Sequence, residues 1–164
     1  MDKQPASLYK VRFSDCDLFG HLNNSKYFDY FLNAREDHLS AAYSFDLNQS
    51  YNQGRGWVVA SHEIKYIRPA AYQETVLVQS SLLRAKEDLL LVEMLMLDKN
   101  KTHLKAAPWT RFVPVNIKTG KRENHSEAFM EFVHLIERKE VEEWDNPLAR
   151  LQNILAAIKE NKEL

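Results

Sequence analysis

Cysteine occurs once, at Cys16, so no disulfide can close within the chain, and this fits a reducing compartment. Glycine occurs only four times, at positions 20, 54, 56 and 120, in neither a G-x-G-x-x-G nor a P-loop pattern. Dinucleotide and nucleoside-triphosphate chemistry therefore have no motif here. No run of about 18 apolar residues exists, which argues against a membrane-spanning helix. The opening MDKQPASLYK lacks the apolar stretch of a secretion signal, so a cytoplasmic location is expected. A charge excess is also missing. Lys and Arg number 22 against 23 Asp and Glu, a formal net charge of −1, and give no bulk reason to hold nucleic acid or an acidic membrane. The six histidines show neither H-E-x-x-H nor Cys/His ligand spacing, so no metal is expected.

What the chain does have is the means to build one ordinary core. Its 164 residues are enough for a single domain, 45% of them hydrophobic and 27% charged. Residues 1–6 read as a loose tail. An alternating strand follows to about Phe13, with Tyr9, Val11 and Phe13 on one side. A polar turn leads into a helix from about Asn24 to Tyr43, with Phe28, Phe31, Leu32, Leu39 and Ala42 as its buried stripe. Asp46–Gly56 is turn-rich and reads as a loop.

Four strand-like runs come next: Trp57–Ile67, Thr75–Leu83, Asp88–Asp98 and His103–Val115. The segments 84–87 and 99–102 are short polar hairpin turns. Pro108 inside the last run predicts a bulge or an edge position. The third run, DLLLVEMLMLD, is apolar on both faces and needs cover on both. Helical patterning returns after Gly120, with Phe129, Phe132, Val133 and Ile136 on one stripe. Pro147 opens a last helix with Leu148, Leu151, Leu155 and Ile158 on one face. One strand, one helix, then four strands is an α+β order.

The residues between the first strand and the first helix carry the chemistry. Asp15, Asp17, Gly20, His21, Asn23 and Asn24 crowd into one turn, and Asn23 or Asn24 caps the helix behind it. The unpaired N–H groups of a helix start favour a carbonyl oxygen that gains negative charge. A carboxylate just upstream can attack that carbonyl or activate a water beside it. The combination suggests acyl transfer.

The run DCDLFGHLNNSKY, from Asp15 to Tyr27, resembles the signature of hotdog-fold acyl-CoA thioesterases of the 4-hydroxybenzoyl-CoA thioesterase type. IKYIRPA (64–70) and FVPVNIKTGK (112–121) are similar to later elements of that family. The resemblance covers roughly residues 7–135 and implies a hotdog fold, an antiparallel sheet wrapped around one long helix. Here a helical extension over about 126–164 is added, and the whole 1–164 forms a single thioesterase domain.

The same resemblance implies hydrolysis of an acyl-CoA without metal or redox cofactor, by a homodimer or homotetramer. It gives Asp17 the role of nucleophile or general base, and the backbone N–H of Asn24 that of carbonyl donor. His21 would position water or thioester, or hydrogen-bond the turn. Asn23, Tyr27 and Arg68 are the expected substrate contacts, with core as the other reading for Tyr27. Asp15 more readily holds the turn than attacks. Cys16, next to two carboxylates, has its thiol pKa raised and is a poor nucleophile. Two alternatives stay open: a thioesterase acting on acyl carrier protein, and a non-catalytic hotdog subunit whose C-terminal helices dock a partner.

Overall fold

At the centre of the computed structural model, which describes residues 1–164, lies the doubly apolar strand β4 (Leu89–Asp98). Around it run β1 (Ala6–Lys10), β2 (Arg55–Tyr66), β3 (Thr75–Lys86) and β5 (Leu104–Asn116). Every pairing is antiparallel, in the order β1-β3-β4-β5-β2. Helix α1 (Tyr27–Tyr43) packs along one face of the sheet. A short α2 (Leu47–Asn52) follows it, and α3 (Glu127–Ile136) lies on the same face. The last helix, α4 (Pro147–Lys159), covers the opposite face. This is the α+β hotdog architecture, a sheet wrapped on one long helix.

Alternation along β4 sends Leu90, Val92, Met94 and Met96 into the core with α1 and α3. Leu91, Leu95 and Leu97 enter a second core with Leu151 and Ile154 of α4. Asn146 caps α4 by accepting from the Ala149 N–H at 3.1 Å, and Pro147 occupies its first turn. On the α4 side Glu93, 1% exposed, accepts two bonds from Arg150 (2.9 and 2.8 Å) and one from Trp109 Nε1 (2.9 Å). An uncovered β4 would have demanded a second copy. Since α4 supplies the cover, that reason for an oligomer falls away.

Several expected boundaries and faces move. Strand β1 stops at Lys10, and Phe13 sits in a single 3-10 turn (Phe13–Asp15) with its ring exposed. Residues 1–6 are not loose: Pro5 is buried, Lys3 Nζ donates to the Glu137 carbonyl at 2.8 Å, and Ala6 already pairs with Gln79. The buried face of α1 is Tyr27, Tyr30, Phe31, Ala34, Arg35, His38 and Tyr43. Of the expected stripe Phe31 is buried and Leu39 and Ala42 pack against the core, while Phe28 is only half-buried and Leu32 is exposed. Polar side chains at positions 35 and 38 hid that face from a hydrophobicity pattern. On α4 the expected Leu151 is buried and Leu155 and Ile158 pack against the same core, but Leu148 is exposed, and Ile154 and the Arg150 that pairs with Glu93 are buried instead.

Asp46–Gly56 contains a helix where a loop was expected. Asp46 caps α2 through the Asn48 N–H at 2.8 Å, a local bond that needs no apolar stripe. Strand β3 continues through 84–86, so the hairpin turn shrinks to Glu87 and Asp88, with Lys86 opposite Leu89. Pro108 is in neither a bulge nor an edge. Strand β5 lies between β4 and β2, Pro108 pairs with Ile64, and the offset is the same on both sides of it. The ladder to β4 simply skips Ala107 and Pro108.

Candidate active site

The crowded turn folds as a miniature hairpin. Cys16 bridges Leu22, the Asn23 N–H donates to the Asp15 carbonyl (2.8 Å), and the Asp17 N–H donates to the His21 carbonyl (2.8 Å). The tip reverses through Asp17-Leu18-Phe19-Gly20, closed by the Gly20 N–H on the Asp17 carbonyl at 3.1 Å. Gly20 has φ +71°, the left-handed residue that a three-residue hairpin loop requires after its turn. The hairpin is tied down by the Tyr72 N–H on the Gly20 carbonyl and the Leu22 N–H on the Ala70 carbonyl, both 2.8 Å. Leu18 and Phe19 at its tip stay exposed.

Within this hairpin the two carboxylates behave differently. Asp17 accepts the Phe19 N–H (2.9 Å) and the His21 N–H (3.2 Å), both on Oδ1. Its Oδ2 carries no bond from the chain, and the residue is exposed. Asp15 accepts the Tyr30 hydroxyl on Oδ2 at 2.8 Å, and that hydroxyl in turn accepts the Arg12 N–H at 3.2 Å. Burial, and then the bond to Asp15, push the Tyr30 phenol up to about 12, so it stays a donor at neutral pH. Asp15 is thus a strut between hairpin and helix. Cys16 points its thiol at the Arg12 carbonyl (3.3 Å), and burial followed by Asp15 and Asp17 raises its pKa. It is no thiolate at neutral pH.

The hairpin runs directly into the helix. Asn23 is the cap: its Oδ1 accepts the Ser25 N–H (3.0 Å) and the Ser25 hydroxyl (2.9 Å), opening a 3-10 turn, Asn24–Lys26, ahead of α1. The backbone N–H of the exposed Asn24 finds no acceptor within the chain. From β2, the Tyr66 hydroxyl approaches the Asn24 carbonyl at 3.5 Å, and its ring packs edge-on against Tyr27 at 5.1 Å. His62 lies against Phe28 at 3.8 Å and is held by Thr110 through Nδ1 at 2.8 Å. Burial lowers the His62 pKa, so this ring is neutral above the ordinary histidine range.

Asp17, His21, Asn23 and Asn24 therefore share one short hairpin and helix start. The His21 imidazole makes no bond within the chain, while its backbone pairs with Asp17 and bridges Ala71. Tyr27 belongs to the core, 2% exposed, with its hydroxyl accepting the Ala70 N–H at 3.3 Å. Arg68 is exposed, and only its backbone N–H is engaged, on the Lys105 carbonyl. Reading the sequence alone overlooked Tyr30, Tyr66 and His62. Tyr30 had a signal, since it lies three residues beyond Tyr27 and so shares its helix face. The other two come from a distant strand, where Tyr66 lies within the IKYIRPA run and His62 had no signal. Nowhere do three or more His, Cys, Asp or Glu side chains gather as a metal site.

Two cavities of ≈ 310 Å³ each lie beyond the hairpin, one beside α1 at Leu32–Leu39 and one past its C-terminal end. One is polar, with Asp46, Gln49, Arg55, Glu123 and His125 in its wall. The other is apolar, bounded by Leu32, Leu39, Val92, Phe112 and Phe132. Phe45, Trp57, Phe129 and Phe132 line both. Neither wall includes a residue of the hairpin.

Residues 11–144 match the model of the thioesterase-like superfamily, a stretch that ends just before α4. No curated protein matches the chain. Among solved structures, the hypothetical protein TT1821 of Thermus thermophilus is similar with a TM-score of 0.74 at 21% identity, over 83% of this chain and 99% of that one. The probable thioesterase YbaW of Escherichia coli gives 0.70 at 22% identity, over 81% and 98%. A DHNA-CoA thioesterase of Staphylococcus aureus gives 0.72 at 18% identity, over 98% and 97%. At these identities the likeness is one of fold.

Proposed function

We propose that this chain, which belongs to the thioesterase-like superfamily, hydrolyses an acyl-CoA thioester to a free acid and coenzyme A. The observation that carries this reading is the state of Asp17. One carboxylate oxygen is held by two backbone N–H groups, and the other is unbonded at the exposed hairpin. A carboxylate fixed in that way keeps its orientation and still offers a lone pair.

In the proposed reaction Asp17 Oδ2 either attacks the thioester carbonyl carbon or takes the proton of a water that attacks it. The carbonyl oxygen gains negative charge as the tetrahedral intermediate forms. The free Asn24 N–H, at the positive end of the helix start, donates to it. Collapse breaks the C–S bond. On the general-base route the proton held by Asp17 passes to the departing thiolate and the acid is released. On the nucleophilic route a water then hydrolyses the mixed anhydride left on Asp17, yielding the acid and the proton that the thiolate takes up. His21, unbonded in its side chain beside Asp17, is assigned to positioning water or the thioester. Arg68, exposed and unpaired, is assigned to the coenzyme A phosphates. Asn23 holds the cap, and Tyr27 supports the helix start from the core.

The test of this reading is free-thiol release from a panel of acyl-CoA thioesters and from the same acyl groups on acyl carrier protein. Turnover is expected on at least one acyl-CoA. Release only from the carrier protein would transfer the reading to that substrate, and release from neither would refute hydrolysis.

A further inference from the structure

Helix α1 carries a guanidinium into the core without an acidic partner. Arg35 is 8% exposed, and none of the ion pairs in the chain includes it. Its Nη1 donates to Ser80 Oγ at 3.3 Å. Ser80 Oγ also lies 2.8 Å from His38 Nδ1. The other ring nitrogen, Nε2, lies 3.1 Å from Ser7 Oγ, so both nitrogens of the neutral ring have a hydroxyl partner. Burial, and then the charge of Arg35, hold His38 down to about 4, so this ring is neutral at neutral pH. Tyr43, which also faces Arg35, is pushed up by burial and is neutral too. The relay fixes the guanidinium in place and leaves its charge uncompensated.

Arg35 is also part of the wall of the apolar cavity, where 15 of the 17 lining residues are hydrophobic. Glu36, the other exception, is exposed at the rim and makes no ion pair with it. Buried charges are costly unless paired, and arginine cannot shed its proton to escape that cost. A charge of this kind beside an open apolar space fits a ligand with an anionic head and a hydrocarbon tail.

We propose that this cavity binds an aliphatic carboxylic acid as its anion, with the carboxylate on Arg35 and the chain against Leu32, Leu39, Phe112 and Phe132. A guanidinium matches a carboxylate in a two-point geometry, which a point charge does not. The cavity wall includes no residue of the Asp17 hairpin, which fits a free acid held apart from the acyl group under attack. In the proposed reaction that class is the product, and an occupied cavity would register its accumulation. Binding itself does not depend on the reaction, because the assay below contains no thioester turnover.

The test is titration calorimetry of the full chain with octanoate and with octanamide, which has the same chain and no charge. Octanoate is expected to saturate at one per chain and to bind at least about tenfold tighter than octanamide, the size expected of a charged hydrogen-bonded contact. Arg35→Gln should erase the difference between the two probes. Since losing Arg35 also unsettles the relay, Leu32→Trp at the exposed rim provides a second variant. It fills the cavity with Arg35 in place and should weaken octanoate by a similar factor. Equal binding of octanoate and octanamide to the wild-type chain, no saturation, or unchanged affinity in both variants would overturn the proposal. A non-hydrolysable octanoyl-CoA thioether should leave octanoate bound. If it displaced octanoate, the cavity would hold the tail of the thioester and the free-acid assignment would fail.

Discussion

The two faces of β4 are built from similar apolar residues and end in different states. Toward α4, Leu91, Leu95 and Leu97 meet Leu151 and Ile154, and the polar atoms there close on one another through Glu93, Arg150 and Trp109. Toward α1, Val92 and Leu90 border an open cavity, and Arg35 is left without an acid. The hairpin with Asp17 lies at the start of that same helix. Two cavities interrupt the α1 face, whereas on the α4 face the buried Glu93 carboxylate is matched by Arg150 and Trp109. On the proposed reading, α4 supplies stability to the sheet and the α1 side carries binding and chemistry.

Breaking the α4 face should produce the largest effect on stability. Arg150→Met strands a carboxylate that is 1% exposed, and removing one partner of a buried pair costs about 3–5 kcal/mol. Chemical denaturation should show that loss, and adding Glu93→Leu should restore much of it by removing the stranded charge. Turnover per folded molecule should be unchanged in both. A large fall in turnover with a normal fold would place α4 in the chemistry and dissolve the contrast between faces.

A smaller effect is expected from acid on the α1 face. His38 has a folded pKa of about 4 against an unfolded value near 6.5. The folded state therefore prefers the neutral ring. Its contribution is fully present above about pH 6.5 and is lost as pH falls through 4, about 3 kcal/mol in all. His62 and His125 are lowered by burial and act in the same direction. Melting temperatures between pH 7.5 and 4 should fall, and His38→Asn, which keeps one donor and one acceptor, should flatten the curve. An equally steep curve in that variant would remove His38 from the account.

Much of this was legible in the sequence. Strand β4 announced its two buried faces, and D-C-D-L-F-G-H-L-N-N located the hairpin and the cap, because local hydrogen bonds and one left-handed glycine determine both. The faces of α1 and α4 were legible only in part. They depend on Arg35, His38 and Arg150, polar residues whose partners Ser80, Ser7 and Glu93 lie far away along the chain. Helix α2 was missed because its cap, and not an apolar stripe, defines it. The continuous register through Pro108 needed knowledge of which ladder would lose a bond.

The smallest effect belongs to the strut between hairpin and helix. Tyr30→Phe removes a hydroxyl that donates to Asp15 at 2.8 Å, and the half-exposed carboxylate can rehydrate, so the cost should be about 1–2 kcal/mol. Turnover should fall by less than in Asp17→Asn, because the hairpin keeps its own backbone bonds. A fall as deep as that of Asp17→Asn would make the strut a part of the chemistry and not a support.

The most direct measurement is single-turnover hydrolysis of the best acyl-CoA by Asp17→Asn and Asp15→Asn, with melting temperatures taken alongside. The amide at position 17 can still accept the Phe19 and His21 N–H groups, so the hairpin should survive. It cannot attack a carbonyl as a carboxylate or take a proton from water. The chemical step should therefore slow by about 10² to 10⁴-fold with little change in substrate binding, and Asp15→Asn should cost less. Wild-type turnover in Asp17→Asn with loss in Asp15→Asn would reverse the assignment within the hairpin, and wild-type turnover in both would contradict the mechanism.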